Sequence, residues 1–201
     1  MERLSRTAGS LVIAAGAILA MTASAIADAA DWRRTPWLTF TSALERQHPD
    51  IGRIWSVADG KIISPAALVD RLAGSRYVLV GEFHDNPDHH RLQAFIVAEL
   101  AAAGRHPRVV MEMIDKDRSS QLEAFLARPD RTAAGLGDAV NWPDSGWPSW
   151  PQYQPIAEAA LAAGLVIAAG DPPRAEMRGV TKDGAASLPK ATVARLRLDR
   201  P

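Results

Sequence analysis

Three short apolar runs, separated by segments of helical period, constrain this chain more than any other feature. Tyr77-Val78-Leu79-Val80 ends at Gly81, and Val109-Val110-Met111 lies within residues 108–113. Leu165 to Ala169 runs into Gly170-Asp171-Pro172-Pro173-Arg174. Runs of this length bounded by turn residues read as buried strands. Between the first two, residues 88–103 carry Leu92, Phe95, Ile96 and Leu100 on one helical face and close at Gly104. Between the second and third, residues 117–127 carry Leu122, Phe125 and Leu126, and residues 153–163 form a further helix closed by Gly164. Strand alternating with helix predicts an α/β fold, a parallel-type sheet with covering helices. Upstream, Ala58-Asp59-Gly60 between apolar runs predicts a short β-hairpin. Ser64-Pro65 opens a helix that ends at Gly74, and a short helix is expected near residues 42–47. Residues 141–151 form a loop rich in tryptophan and proline, and the tail from Val180 carries no strand signal.

If the three strands are parallel neighbours, their carboxyl ends share one sheet edge, where ligands bind in open α/β sheets. That edge would gather Glu82, His84, Glu112, Asp171 and Arg174. Three of the five histidines, His84, His89 and His90, fall in the loop and helix opening after the first strand, among Glu82, Asp85 and Asp88. Glu112, between Met111 and Met113, is an acid at the end of an apolar strand. An unpaired charge there would be costly to bury. It pairs with Arg174 or Arg118, or it binds a metal or moves protons beside His84. Glu82, His84 and Glu112 are therefore the catalytic or metal-ligating candidates. On a helix, His89 lies on the Leu92–Ile96 face and His90 points about 100° away. One of the two is then a core or supporting group. Histidine and tyrosine also ligate haem iron. The candidates are His84, His89, His90 and Tyr153. Tyr77 would open its strand at the far end of the sheet and is the weaker of the two tyrosines. Core packing is expected for at least half of the loop's tryptophans. There is no His-Glu-x-x-His, Gly-x-Ser-x-Gly or P-loop motif.

Arg3 and Arg6, an apolar stretch from Leu11 to Met21, and Ala-x-Ala patterns at residues 23–27 predict a signal peptide over residues 1–27. Residues 28–201 are then one mature domain, periplasmic or secreted. The chain has no cysteine, which excludes disulfides and lipid attachment through an N-terminal cysteine. Lys+Arg and Asp+Glu are both 23, so nothing in the charge favours nucleic acid.

Gly81-Glu82-Phe83-His84-Asp85-Asn86-Pro87-Asp88-His89-His90-x-x-Gln93 is the longest motif. With Met111-Glu112-Met113 and Gly146-Trp147-Pro148-x-Trp150-x-x-Tyr153, it resembles the ChaN family of haem-binding uptake proteins. That family lies in the Tiki superfamily, beside TraB-like proteins and erythromycin esterases. The resemblance runs from about Ile54 to about Arg174. It implies an exported, iron-linked protein that binds haem between two subunits of a homodimer and works with an outer-membrane haem receptor. It also implies a site built from a Gly-x-x-His loop and a strand-end glutamate, here Gly81, Glu82, His84 and Glu112. ChaN members can be lipoproteins, which this cysteine-free chain would not be. Their third strand ends in Asn-x-Pro-Arg, where this chain has Asp171-Pro172-Pro173-Arg174. Family members run longer, so the fold is expected to be C-terminally incomplete. The alternatives are a metal-dependent hydrolase using Glu82, His84 and Glu112 with a divalent metal, and an inactive truncated domain.

Overall fold

The computed structural model describes residues 40–198. The expected signal peptide, Trp32 and Trp37 lie outside the described residues. The fold is mixed α/β, as the alternation predicts, with seven α-helices, one antiparallel hairpin and one parallel strand pair among the described residues.

Strands β1 (Ile54–Ser56) and β2 (Lys61–Ile63) pair around a turn in which Gly60 adopts φ +61°, a left-handed conformation that glycine accepts without steric cost. Helix α1 (Pro65–Ala73) follows, capped by Ser64, whose side chain accepts the Ala67 N–H at 3.2 Å. Arg71 of α1 ties the helix to the hairpin, donating to Ser56 at 3.0 Å and to Asp59 at 2.5 Å. Residues 42–47 form turns rather than the expected short helix.

Tyr77–Val80 departs from expectation. It joins no strand ladder, and Leu79 is 96% exposed. Four β-prone residues make a strand only when a neighbour takes up their N–H and C=O groups, and no such pairing forms among the described residues. The parallel sheet among the described residues is therefore β3 (Val109–Asp115) beside β4 (Ile167–Asp171). Val109 to Met111 match Ile167 to Ala169 in register. The next aligned pair is Asp115 with Asp171, so four steps along β3 match two along β4. This bulge carries β3 two residues beyond its expected end and shifts its polar terminus from Glu112 to Asp115. Gly170 sits where β4 closes on β3. A Cβ there would lie 2.8 Å from the Met111 carbonyl oxygen.

The long α2 (Pro87–Ala102) is capped by Asn86, whose side chain accepts the Asp88 N–H at 3.0 Å. It packs along α5 (Trp150–Ala162). His90, Ala94 and Ala98 recur every four residues on α2, and Tyr153, Ala157 and Ala160 form the facing stripe on α5; all six are buried. The alanines let the two helix axes approach closely, and the seam ends in the His90–Tyr153 ring pair. Helices α3 (Ser119–Leu126) and α4 (Ala133–Ala139) extend this core through Leu122, Phe125 and Leu136. Helix α4 had no apolar period long enough to announce it; Thr132 caps it by accepting the Gly135 N–H at 3.1 Å. Trp142 and Trp150 are core, as expected of at least half the loop's rings, whereas Trp147 is half-buried. The tail forms α6 (Arg174–Asp183) and α7 (Lys190–Leu196), and no described helix is long and apolar enough to cross a membrane.

Gly137 of α4 gives a direct test of this packing. Alanine in place of an interior helical glycine would ordinarily stabilise by about 1 kcal/mol. Here a Cβ would sit 2.5 Å from Trp150 Cγ, and that indole is pinned by its N–H to the Ala133 carbonyl at 2.9 Å. Overpacking should win. Gly137→Ala is expected to cost roughly 1–3 kcal/mol, and an unchanged or raised midpoint in thermal unfolding would refute the packing.

Candidate functional site

Glu82 leaves the extended segment before α2 and turns inward until its side chain is 6% exposed. A carboxylate so buried needs donors, and three elements supply them. The His84 ring lies 2.8 Å from Oε1 through Nδ1. Tyr153 of α5 offers its hydroxyl to the same oxygen at 3.2 Å, and to the His84 carbonyl oxygen at 3.1 Å. His90 of α2 brings Nε2 to 3.3 Å from Oε2. That last approach is a close polar contact rather than a formed hydrogen bond, because neither Oε2 nor either His90 nitrogen completes one.

The electrostatics follow from this arrangement. Burial alone would raise the Glu82 pKa, but the hydrogen bond from His84, aided by His90, Gln93 and Tyr153, outweighs it and holds Glu82 below its ordinary value. Burial lowers the His90 pKa despite Glu82 and the Gln152 main chain, which favour the charged ring. His90 is therefore neutral at pH 7, and Glu82 owes its ionisation chiefly to His84 rather than to a charged His90. Burial, then the neighbouring Glu82 charge, raises the Tyr153 pKa, so the phenol keeps its proton as a donor. An ionised carboxylate only accepts, so Nδ1 of His84 carries a proton. In the neutral ring Nε2 then offers its lone pair, on a side chain 44% exposed. Trp147 stands edge-on to the ring, centroids 4.6 Å apart.

The candidate residues separate on this evidence. Glu82, His84, His90 and Tyr153 meet. His89 does other work: its Nδ1 accepts the Phe83 N–H at 2.8 Å, so the neutral ring carries its proton on Nε2. It lines an apolar hollow of about 460 Å³ with Leu92, Phe95 and Ile96, the face expected for it. Glu112 is exposed in mid-strand and makes no ion pair with Arg118 or Arg174; their partner is Asp115. Among the described residues, no three His, Cys, Asp or Glu side chains gather as a metal-ligand set. Glu82, His84 and Glu112 are not gathered as such a set: the first two turn their facing atoms to each other, and Glu112 acts on the cluster only through its charge, which helps raise the Tyr153 pKa.

Two features escaped the sequence reading. Asp88 belongs to no ligand cluster. Buried on α2, it accepts the Thr41 N–H and hydroxyl and the Ser42 N–H at 2.8–2.9 Å, which clamps the upstream segment to the helix. Burial opposes its ionisation, but the Thr41 and Ser42 donors win and lower its pKa. At the carboxyl ends of β3 and β4, buried Asp115 accepts from Arg174 Nε at 3.0 Å and lies 3.5 Å from Arg118 Nε. Arg118 also grips the Val140 and Asn141 carbonyls, and Arg174 Nη2 reaches the Ser145 carbonyl at 3.4 Å. Asp115 therefore anchors the start and the middle of the loop that carries Trp147 to His84. Only its place just past the apolar run could have marked it.

The sequence model of the family described as "Haem-binding uptake, Tiki superfamily, ChaN" matches residues 68–201. The chain belongs to this haem-binding uptake family. No curated protein matches the chain, and neither does any solved structure.

The His90 environment sets a pH dependence. The unfolded ring takes a proton near pH 6.5, while the buried ring resists it to lower pH. The unfolded state thus binds more protons, and stability falls as pH drops below about 6.5. Glu82 adds a loss of the same sign below its ordinary 4.5. The wild-type melting temperature should decline between pH 7 and pH 5.5. His90→Gln, less stable throughout, should be flatter over that window; equal slopes would refute the assignment.

Proposed function

We propose that the protein binds haem for haem or iron acquisition, with His84 Nε2 as the iron ligand and Glu82 as the group that orients it. The observation that carries this reading is the 2.8 Å contact between Glu82 Oε1 and His84 Nδ1, which turns the unprotonated Nε2 outward. A carboxylate on the far nitrogen fixes the tautomer of a ligating imidazole and raises its basicity. The surroundings fit a flat apolar ligand: Trp147 stands against the imidazole, and Phe83, the residue before it, is exposed. Family membership points to the same ligand. His90 and Tyr153, the other expected ligands, are buried beneath His84 and act on this reading by holding Glu82. Tyr153 supplies a proton donor and His90 an aromatic face, their ring centroids 3.9 Å apart.

The proposal extends to the rest of the route. A signal peptide over residues 1–27 would export the domain of residues 28–201 to the periplasm or beyond. There it would exchange haem with an outer-membrane receptor, two copies sharing the ligand. The support for export is the sequence pattern alone, and that for the homodimer and the receptor is the family resemblance.

Titration with ferric haem, followed at the Soret band, tests the site. Wild-type protein should give a saturable red shift. Glu82→Gln keeps the shape but weakens the orienting bond, and should reduce haem affinity about 10–100-fold. His84→Ala should abolish the shift. A shift that survives His84→Ala in folded protein would remove His84 as the ligand.

A further inference from the structure

We propose that Arg174 receives a carboxylate of the bound haem, with Asp115 holding it in place; this rests on the haem reading above. The observation is the division of labour between the two arginines around buried Asp115. Arg118 is 18% exposed and spends its Nη1 on the Val140 and Asn141 carbonyls, closing the start of the tryptophan loop. Arg174 is 47% exposed. It gives Nε to Asp115 at 3.0 Å, and its main-chain N–H to Asp117 at 3.0 Å. Its Nη2 has only the long 3.4 Å contact with Ser145, and Nη1 has no hydrogen bond among the described residues. The guanidinium is thus fixed by one edge and open at the other, the arrangement that suits bidentate recognition of a carboxylate.

Position supports the assignment. Arg174 follows β4 at the carboxyl edge of the sheet, where ligands sit in α/β folds. It is also linked to His84 through the tryptophan loop: Ser145, which Arg174 touches, is two residues from Trp147, which touches His84. Haem is an apolar ring with iron at its centre and two carboxylates on one edge. A ligand held at its iron by His84 and walled by Trp147 would turn its carboxylates toward a cation held by the same loop. The local charges are balanced: Asp115, Asp117 and Asp171 against Arg118, Arg174 and Lys116. Recognition therefore comes from the open guanidinium edge rather than from a positive field. Asp115 Oδ1, buried without a partner, marks the cost of holding Arg174 by a single oxygen.

The test compares ferric protoporphyrin IX with its dimethyl ester, which keeps the ring and iron but lacks the charges. Full-length wild-type protein should bind the diacid about tenfold or more tightly than the diester. Arg174→Gln should remove that preference while the Soret shift at saturation persists. If Arg174→Gln fails to fold because Asp115 keeps only the longer contact with Arg118, Asp115→Asn with Arg174→Gln removes the under-compensated charge and serves instead. Equal wild-type affinity for diacid and diester, each with a Soret shift, overturns the Arg174 proposal and leaves the haem reading standing. A preference that survives in the folded variant also overturns it. No Soret shift with either porphyrin overturns both.

Discussion

A buried carboxylate organises this molecule. Glu82 comes from a segment without regular structure, yet its side chain is almost fully enclosed. It is stable there only because α5 brings a phenol and the neighbouring loop brings an imidazole, with a second imidazole from α2 alongside. Each donor in turn depends on the α2–α5 seam. The alanine stripes set the helices close enough for His90 to lie on Tyr153, and Tyr153 then meets both Glu82 and the His84 carbonyl. The hydrophobic seam and the polar cluster are one structure. A larger residue at Ala94 or Ala157, both wholly buried, would push the helices apart and move the donors off the carboxylate.

Asp115 plays the corresponding part on the other side. It is a second enclosed carboxylate, and it too is served by donors from different elements. Its arginines reach out to main-chain carbonyls of the tryptophan loop and fix a segment that has little regular hydrogen bonding of its own. Trp147 connects the two centres: its loop is held by the Asp115 arginines, and its ring meets His84. The exposed imidazole is thus set from beneath by Glu82 and from the side by an aromatic ring whose position depends on a distant ion pair.

Much of this was legible in the chain because local signals agreed with tertiary outcome. Ser64-Pro65 and the Asp59-Gly60 turn gave their elements directly. The Gly81–Gln93 motif holds Glu82, His84 and His90, which the fold brings together, and the 100° separation put His89 and His90 on different faces; yet Leu92 and Ile96, expected on the buried face that His89 shares, stay partly exposed while His90 and Ala94 are wholly enclosed. Other features depended on partners that a single segment does not reveal. Tyr77–Val80 has the composition of a strand, but no segment among the described residues pairs with it. Glu112 looked terminal because a bulge is invisible in an apolar run; the true terminus, Asp115, lies three residues on. Asp88 looked like part of a histidine–acid cluster, but its partners Thr41 and Ser42 lie 47 and 46 residues upstream. Proximity in sequence suggested one dense site; the fold divides those side chains between the buried cluster of Glu82, His84 and His90 and two main-chain contacts, Asp88 with Thr41 and Ser42 and His89 with Phe83.

On the haem reading, this division suits a carrier. A carrier must take up its ligand and also give it back, so its ligating atom should be strong yet reachable. His90 and Tyr153 have the right chemistry but no access, and using either would mean opening the α2–α5 seam. His89 has access to an apolar hollow but carries its proton on the nitrogen that would ligate. His84 alone among these four combines an exposed ring with an unprotonated nitrogen, and the strength of that nitrogen is set from the buried side by Glu82. Protonating or neutralising Glu82 weakens the acceptor for Nδ1–H and loosens the hold on the ring. Ligand strength is then controlled at an atom the ligand never touches. The lowered Glu82 pKa keeps that control engaged at neutral pH and releases it only on strong acidification.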